Sequence, residues 1–283
     1  MQPIIKYRGG KSKELKELIP HIPVFTGRYI EPFFGGGAMY FSLEPSRAII
    51  NDINAPLMEF YKGVRNDYKH LRAELDALQK IYEANRIDFD KRKALTPNLR
   101  VNDANEALYY QIRDMYNSII PPTFSQAAIY YFINKTAYSG MIRYNSKGEF
   151  NVPYGRYKNF NTNILTQAHS DLLGSAEIYN GDYKSIFDKA NVNDFIFLDP
   201  PYDCIFSDYG NEEYKTGFGE ESHRMLAQDI KNLHCPALLV IGKTPLIEEL
   251  YHGMIIAEYD KAYSVNIRNR FRAAATHCII TNY

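Results

Sequence analysis

Apolar positions along the chain follow two patterns that take turns. Short apolar runs bounded by turn residues occur at Arg28–Ile30, Ala48–Asn51, Glu177–Tyr179, Phe195–Asp199, Ala237–Gly242, Ile255–Tyr259 and Thr276–Thr281. Within them FIFL and ALLVI lack strict alternation, which predicts strands covered on both faces. Spacings of three and four predict helices elsewhere. Leu15, Leu18 and Ile19 form a short one that stops at Pro20. Others cover Ala38–Leu43, Ala104 to Ile119, Ser125 to Thr136, Glu220–Leu233 and Pro245–Leu250. In Pro56–Leu78 the residues Leu57, Phe60, Tyr61, Val64, Tyr68, Leu71 and Leu75 recur on one face. Residues 85–102 are polar and less periodic, and Pro121-Pro122 punctuates a junction. The alternation predicts an α/β fold with helices on both faces of a sheet. Residues 54–165 read as a mainly helical insertion, which leaves 1–53 and 166–283 to build the sheet domain.

Composition narrows the class. The 283 residues are 45% hydrophobic and 23% charged, which fits a globular protein and argues against disorder. Cys204, Cys235 and Cys278 are odd in number and widely spaced, so a disulfide scaffold is not expected. No histidine or cysteine spacing matches a zinc site, and no metal is expected. The first residues lack a signal-peptide core, and no apolar run approaches the roughly 20 residues needed to span a bilayer. The expectation is a cytoplasmic protein with no membrane partner.

Thirty-three basic and 33 acidic residues cancel, but their distribution is uneven. Lys135, Arg143, Lys147, Arg156 and Lys158 lie close together against Glu149 alone, and Lys261, Arg268, Arg270 and Arg272 form a second basic stretch. One face can therefore be basic while the whole is neutral. The 24 tyrosines and 16 phenylalanines supply rings that can stack on bases, although most are expected to pack internally.

Two constellations carry chemistry. The first is Glu31-Pro32-Phe33-Phe34-Gly35-Gly36-Gly37, directly after a strand. Three glycines permit a tight turn with room for a bulky ligand. The spacing is neither the dinucleotide GxGxxG nor a Walker A loop, which argues against NAD and nucleoside triphosphates. Asp52 closes the next strand, where a carboxylate can accept both ribose hydroxyls of an adenosine. Asp182, after another strand, can meet an adenine amine or simply form a turn. Tyr7 to Lys11, YRGGK, can pack beside the same ligand, and Lys11 can meet a carboxylate.

The second constellation is Asp199-Pro200-Pro201-Tyr202, after the apolar run FIFL. It falls at the carboxyl end of a strand, where α/β sheets bind ligands. The prolines restrict the backbone, so the Pro200 carbonyl becomes a fixed acceptor beside the Asp199 carboxylate. With the Tyr202 ring they make a pocket for a planar base bearing an exocyclic amine. Cys204, just beyond, reads as packing.

Four segments, YRGGKSKEL, EPFFGGGAMYF, NKTAYSGMIRYNSKGEFNVPYGRY and DPPY, resemble the D12 class of N6-adenine-specific DNA methyltransferases, the GATC-methylating type included. Their order matches that family's alpha arrangement, and the similarity spans nearly the whole chain. The resemblance assigns Tyr7, Gly10, Lys11, Glu31, Phe33, Gly35, Gly37, Asp52 and Asp182 to binding S-adenosylmethionine. It assigns Asp199, Pro200 and Tyr202 to catalysis. The central segment is similar to the family's base-reading hairpin. There Tyr138 would wedge into DNA, Met141 and Pro153 would add apolar contacts, and Arg143 would read guanine. Asn145 would read a base or brace the loop, and Arg156 and Lys158 would contact phosphate. Two positions depart from the pattern. Ser139 stands where many members have asparagine. His277 stands at a commonly acidic position, where altered DNA or loop contacts are expected.

The resemblance implies methyl transfer to N6 of adenine in double-stranded DNA, with the target base flipped out. It makes 1–53 and 166–283 the catalytic and cofactor-binding domain, and 54–165 the target-recognition domain. A monomer is expected, with a cognate restriction endonuclease as a further partner. The residues alone also allow an amine methyltransferase acting on RNA or protein, or a noncatalytic DNA-binding relative.

Overall fold

The computed structural model describes residues 1–202, 218–262 and 274–283. Its helices are α1 (Leu15–Leu18), α2 (Ala38–Leu43), α3 (Ala55–Asn66), α4 (Tyr68–Leu95), α5 (Ala104–Tyr116), α6 (Gln126–Thr136), α7 (Gln167–Gly174), α8 (Lys184–Phe187), α9 (Glu220–Lys231) and α10 (Pro245–Leu250). The strands are β1 (Tyr29–Glu31), β2 (Ala48–Asp52), β3 (Ala176–Asn180), β4 (Phe195–Leu198), β5 (Ala237–Gly242), β6 (Ile255–Ala262) and β7 (Ala274–Thr281). Among the described residues, no helix is long and apolar enough to cross a membrane. Cys204, Arg268, Arg270 and Arg272 lie outside the described residues.

The chain forms two compact units. The larger sheet unit starts at Lys11, runs to Ile53 and resumes at Ala176. Among the described residues its seven strands lie in the order β3-β2-β1-β4-β5-β7-β6. All neighbours are parallel except β7, which runs antiparallel to both β5 and β6. The α/β expectation is met. Every residue of β1, β2 and β4 is buried, as runs such as FIFL require when both faces are covered. Ile30, Ile49, Ile196, Leu198, Leu239, Ile241 and Ile280 carry the core with Leu226 and Ile230 of α9. Successive strands leave β1 in one direction and β4 in the other. Their carboxyl ends are therefore adjacent at a reversal of strand order, the position where open α/β sheets bind ligands.

The second unit combines Met1–Gly10 with Asn54–Ser175. Helices α3 and α6 approach closely at Gly63, where an added Cβ would lie 2.6 Å from the Ala127 Cβ. Beside them the Phe60 and Tyr130 rings stack with centroids 5.3 Å apart. Side chains cap the helix starts: Asn54 accepts from Leu57 N and Ser125 from Ala128 N.

The helix expected over Pro56–Leu78 is two helices. Asn66 and Asp67 compete with the backbone for hydrogen bonds and favour helix ends. At Asp67 the backbone leaves the helical region, with φ −143° and ψ 45°. The second helix then runs on to Leu95 through the polar stretch. The ion pairs Arg86–Asp90 and Asp88–Arg92 substitute for an apolar face there. Lys93 secures the end by donating to the carbonyls of Pro97 and Leu99.

Candidate active site

The glycine turn is tied to the ends of three strands. Phe34 N–H donates to the Asn51 carbonyl at 2.8 Å, and Gly37 N–H to the Phe34 carbonyl at 2.8 Å. The Asn51 amide donates to the carbonyls of Pro32 and Gly181, each at 2.9 Å. Gly35 and Gly37 take φ of 48° and 64°, in the region glycine occupies without strain. Gly35 N–H donates to Asp52 Oδ2 at 2.8 Å, so the carboxylate and the turn hold each other. Phe33 packs on Tyr183 and meets Phe218 edge-on. Asp182 is exposed and accepts from Lys184 N–H at 2.9 Å, at the start of α8. Beside it, nothing lies within 4 Å of a Cβ added at Gly181.

Asp199 follows β4. Lys11 Nζ lies 2.7 Å from each of its carboxylate oxygens. The Lys11 side chain is almost wholly buried, which makes this a two-pronged ion pair set into the protein. Burial raises the Asp199 pKa, and the Lys11 charge and hydrogen bond oppose that rise. The same ammonium stands 4.9 Å from the centre of the Tyr202 ring. Pro200 is buried.

Glu31, at the end of β1, is buried and accepts from Tyr29 OH at 2.7 Å. Burial pushes its carboxyl well above the usual range, and the charges of Asp199 and Asp52 push it further. Three carboxyl groups thus feel one another across the ends of β1, β2 and β4. Such a site suits a cationic ligand. Its acceptors at Asp52 and Asp182, and the open space at Gly181, suit an adenosine.

Sequence reasoning missed the network behind Tyr202. Glu14, one turn after Lys11, is buried. Its Oε2 accepts from His277 Nδ1 at 2.8 Å and from Tyr259 OH at 2.6 Å, and Lys261 Nζ lies 2.5 Å from Oε1. His277, expected to alter DNA or loop contacts, is buried in the sheet instead. Spacing gave no sign of the pairing, because the two residues stand at opposite ends of the chain. Burial alone would raise the Glu14 pKa. The hydrogen bonds from His277, Lys261 and Tyr259 outweigh it and bring the value from 4.5 to about 2. A carboxyl lowered on folding stabilises the protein above its unfolded pKa, and loses that contribution as pH falls through the folded one. Glu14→Gln is therefore expected to cost about 3 kcal/mol at neutral pH. The difference should shrink between pH 4.5 and 2. Chemical denaturation of both proteins at pH 7 and at about pH 3 measures it.

The central segment of the helical unit folds as a hairpin. Tyr144 bridges Phe150, and Ala137 bridges Tyr154. At its tip Asn145 Oδ1 accepts from the N–H groups of Lys147 and Glu149, and Nδ2 donates to Glu149 Oε2. That is the bracing role left open by the sequence. Arg143 is exposed, and Asn151 holds its guanidinium through Nε to Oδ1 at 2.8 Å and Nη2 to the carbonyl at 3.2 Å. Tyr138 is 49% exposed. Ser139 and Gly140 follow it in left-handed backbone, φ 57° and 62°. Asparagine is enriched in that conformation, so the asparagine expected there from the resemblance would suit the same backbone. Met141 is half-buried and Pro153 exposed, with the Pro153 carbonyl accepting from Tyr138 N–H at 2.8 Å. Arg156 pairs with Glu106 at 3.3 Å, and Lys158 is exposed.

Lys11, Glu31, Gly35, Asp52, Asp199 and Tyr202 thus gather in the sheet unit. Tyr7 and Gly10 belong to the N-terminal segment of the helical unit, just ahead of Lys11 in the chain. There Gly10 N–H donates to the Tyr7 carbonyl at 3.2 Å, closing a turn.

Comparison with known proteins adds an independent line. The family model for D12 class N6 adenine-specific DNA methyltransferases matches residues 7–265. The chain is 35% identical over 291 residues to the type II methyltransferase M.CviBI of Paramecium bursaria Chlorella virus NC1A, covering all of both chains. It is 35% identical over 303 residues to the type II methyltransferase M.MjaIII of Methanocaldococcus jannaschii, covering 100% of this chain and 99% of that one. A DNA adenine methylase of Salmonella typhimurium is 29% identical over 254 residues, 87% of this chain and 83% of its own.

Proposed function

This chain belongs to the D12 class of N6 adenine-specific DNA methyltransferases, and we propose that its residues divide the reaction as follows. The protein is a site-specific DNA methyltransferase acting on adenine. Its methyl donor is S-adenosylmethionine, and its substrate is double-stranded DNA with the target adenine flipped out of the stack. The observation that carries this reading is the position of Asp199-Pro200-Pro201-Tyr202. It ends β4 beside the glycine turn of β1, at the reversal of strand order.

Asp52 would accept the ribose hydroxyls of the donor while keeping its bond to Gly35. Asp182 would accept from the donor's adenine amine, and Phe33 would form an apolar wall. Tyr7 and Gly10 would flank the ligand from the N-terminal segment. Glu31 and its neighbouring carboxylates would favour the positive sulfur. When bound, the donor supplies an electrophilic methyl group on that sulfur.

Tyr202 would stack on the flipped base. Asp199 and the Pro200 carbonyl would accept hydrogen bonds from the two N6 hydrogens, drawing the amine out of conjugation so that its lone pair faces the methyl group. Lys11 has a defined part here. Burial favours a protonated Asp199, and a protonated carboxyl offers fewer acceptor sites. The ammonium favours the ionised form, which binds the amine more strongly as positive charge grows on nitrogen.

The hairpin would choose the site. Tyr138 would wedge beside the target, with Met141 and Pro153 in apolar contact. Arg156 and Lys158 would bind phosphate, and Asn145 would hold the tip. Asn151 fixes one edge of Arg143, which suits a guanidinium that must present paired donors to guanine O6 and N7. The proposed target is GATC, on the resemblance of the hairpin segment. Arg143→Ala should lose about 1–3 kcal/mol of discrimination between matched and mismatched duplexes, with donor affinity unchanged. An unchanged ratio of kcat/KM values would remove Arg143 from base reading.

The type II names of the relatives fit a system with a cognate restriction endonuclease, and the enzyme would act as a monomer in the cytoplasm. Residues 1–53 and 166–283 would carry catalysis, and 54–165 target recognition. Labelled methyl transfer to duplex DNA, RNA and protein tests the substrate class. Label is expected in the N6-methyladenine of duplex DNA, and preferential labelling of RNA or protein would refute it.

A further inference from the structure

Cross-strand register places three residues in one row. Gly242 of β5 pairs with His277 of β7, and His277 pairs with Tyr259 of β6. Residues directly opposite in antiparallel strands stand on one face of the sheet. Tyr202 sits on this row. A Cβ added at Gly242 would lie 3.3 Å from its Cδ2, so the missing side chain forms the seat of the ring. His277 meets the ring edge-on, with centroids 5.1 Å apart and planes at 80°, and its Nδ1 lies 3.5 Å from the Tyr202 hydroxyl.

His277 is itself held. Glu14 Oε2 takes its Nδ1 at 2.8 Å and the Tyr259 hydroxyl at 2.6 Å. An ionised carboxylate only accepts, so Nδ1 carries the proton and the imidazole orientation is fixed. Glu14 in turn is placed by Lys11, whose carbonyl accepts from Glu14 N–H at 2.7 Å. One turn of chain therefore reaches both ends of the tetrapeptide, Asp199 through Lys11 and Tyr202 through His277.

We propose that Glu14, His277 and Gly242 are positioning residues for methyl transfer: they fix the plane of the Tyr202 ring against which the flipped adenine stacks. The proposal rests on the catalytic reading of Asp199–Tyr202 given above. Aligned stacking sets the angle at which the amine meets the methyl group, and small misplacements of reacting groups cost large factors in rate.

The test uses Glu14→Gln, which removes the anion that holds His277. It also uses Gly242→Val, which crowds the seat without touching Glu14. Single-turnover transfer, DNA KM, donor Kd and the fluorescence of 2-aminopurine at the target position are measured on the full chain. Each variant should lose about tenfold in transfer rate. DNA KM and donor Kd should stay within about twofold, and the 2-aminopurine should brighten as it stacks less well on Tyr202. Wild-type rate and fluorescence in either folded variant would overturn the proposal. So would a rate loss matched by an equal loss of donor binding, the mark of a general structural defect. If Glu14→Gln does not fold, Gly242→Val alone decides. Asp199→Ala runs alongside: if it keeps turnover, the catalytic reading fails, whereas an inactive Asp199→Ala beside fully active Glu14→Gln and Gly242→Val sinks only the positioning role.

Discussion

Asp199→Ala is expected to lower the methyl-transfer rate by about a thousandfold or more while donor affinity changes little. The carboxylate is the anion placed at the end of β4, and its partner Lys11 comes from the start of the sheet unit. Removing it withdraws the acceptor that strengthens as charge develops on the adenine nitrogen. The glycine turn, Asp52 and Asp182 are untouched, so the donor should still bind. Alanine also leaves a buried ammonium without its partner, and breaking such a pair can itself destabilise a protein. Asp199→Asn separates the two effects, because an amide oxygen still accepts from Lys11 but carries no charge. It should fold like the parent and remain slow. Single-turnover kinetics with equilibrium dialysis of the donor measures both quantities, and near-parental turnover in a donor-bound variant would rule out this role for Asp199.

The second large effect belongs to Gly37. Its φ is 64°, and an added Cβ would lie 2.6 Å from Phe34 Cζ and 3.0 Å from Phe41 Cε2. The left-handed backbone costs a residue with a side chain about 1–2 kcal/mol. Overpacking the Phe34 ring adds about 1–3 kcal/mol. Gly37→Ala should therefore melt on the order of 10 °C lower. Moving Phe34 also moves the turn in which Gly35 binds Asp52, so donor affinity should fall at least about tenfold. Gly181→Ala is the contrasting control. It meets nothing within 4 Å, and its effect on melting should be small. Thermal unfolding and donor titration of the two variants give the comparison, and equal melting temperatures would contradict the strain assigned to Gly37.

The legible parts of this protein were those encoded locally. Continuous apolar runs such as FIFL mark buried strands, and EPFFGGG and DPPY mark the turns where β1 and β4 end. What the pattern could not supply was pairing at a distance. The sequence places Lys11 where it can meet a carboxylate, but only the fold identifies that carboxylate as Asp199. Glu14 and His277 carried no motif, and their contact exists because β7 enters the sheet antiparallel between β5 and β6. The long helix α4 was obscured for a different reason. Its last turns are stabilised by ion pairs and lack the apolar face that periodicity detects. At position 139 the sequence shows only a departure from asparagine, while the backbone there is left-handed.

Base-resolved mapping of methylated bases, after expression of the chain in a host whose DNA is otherwise unmodified, is the decisive measurement. N6-methyladenine is expected at one short motif only, and is expected to disappear with Asp199→Asn. Unmodified DNA in the presence of folded protein, or methyl groups on cytosine, would contradict that expectation.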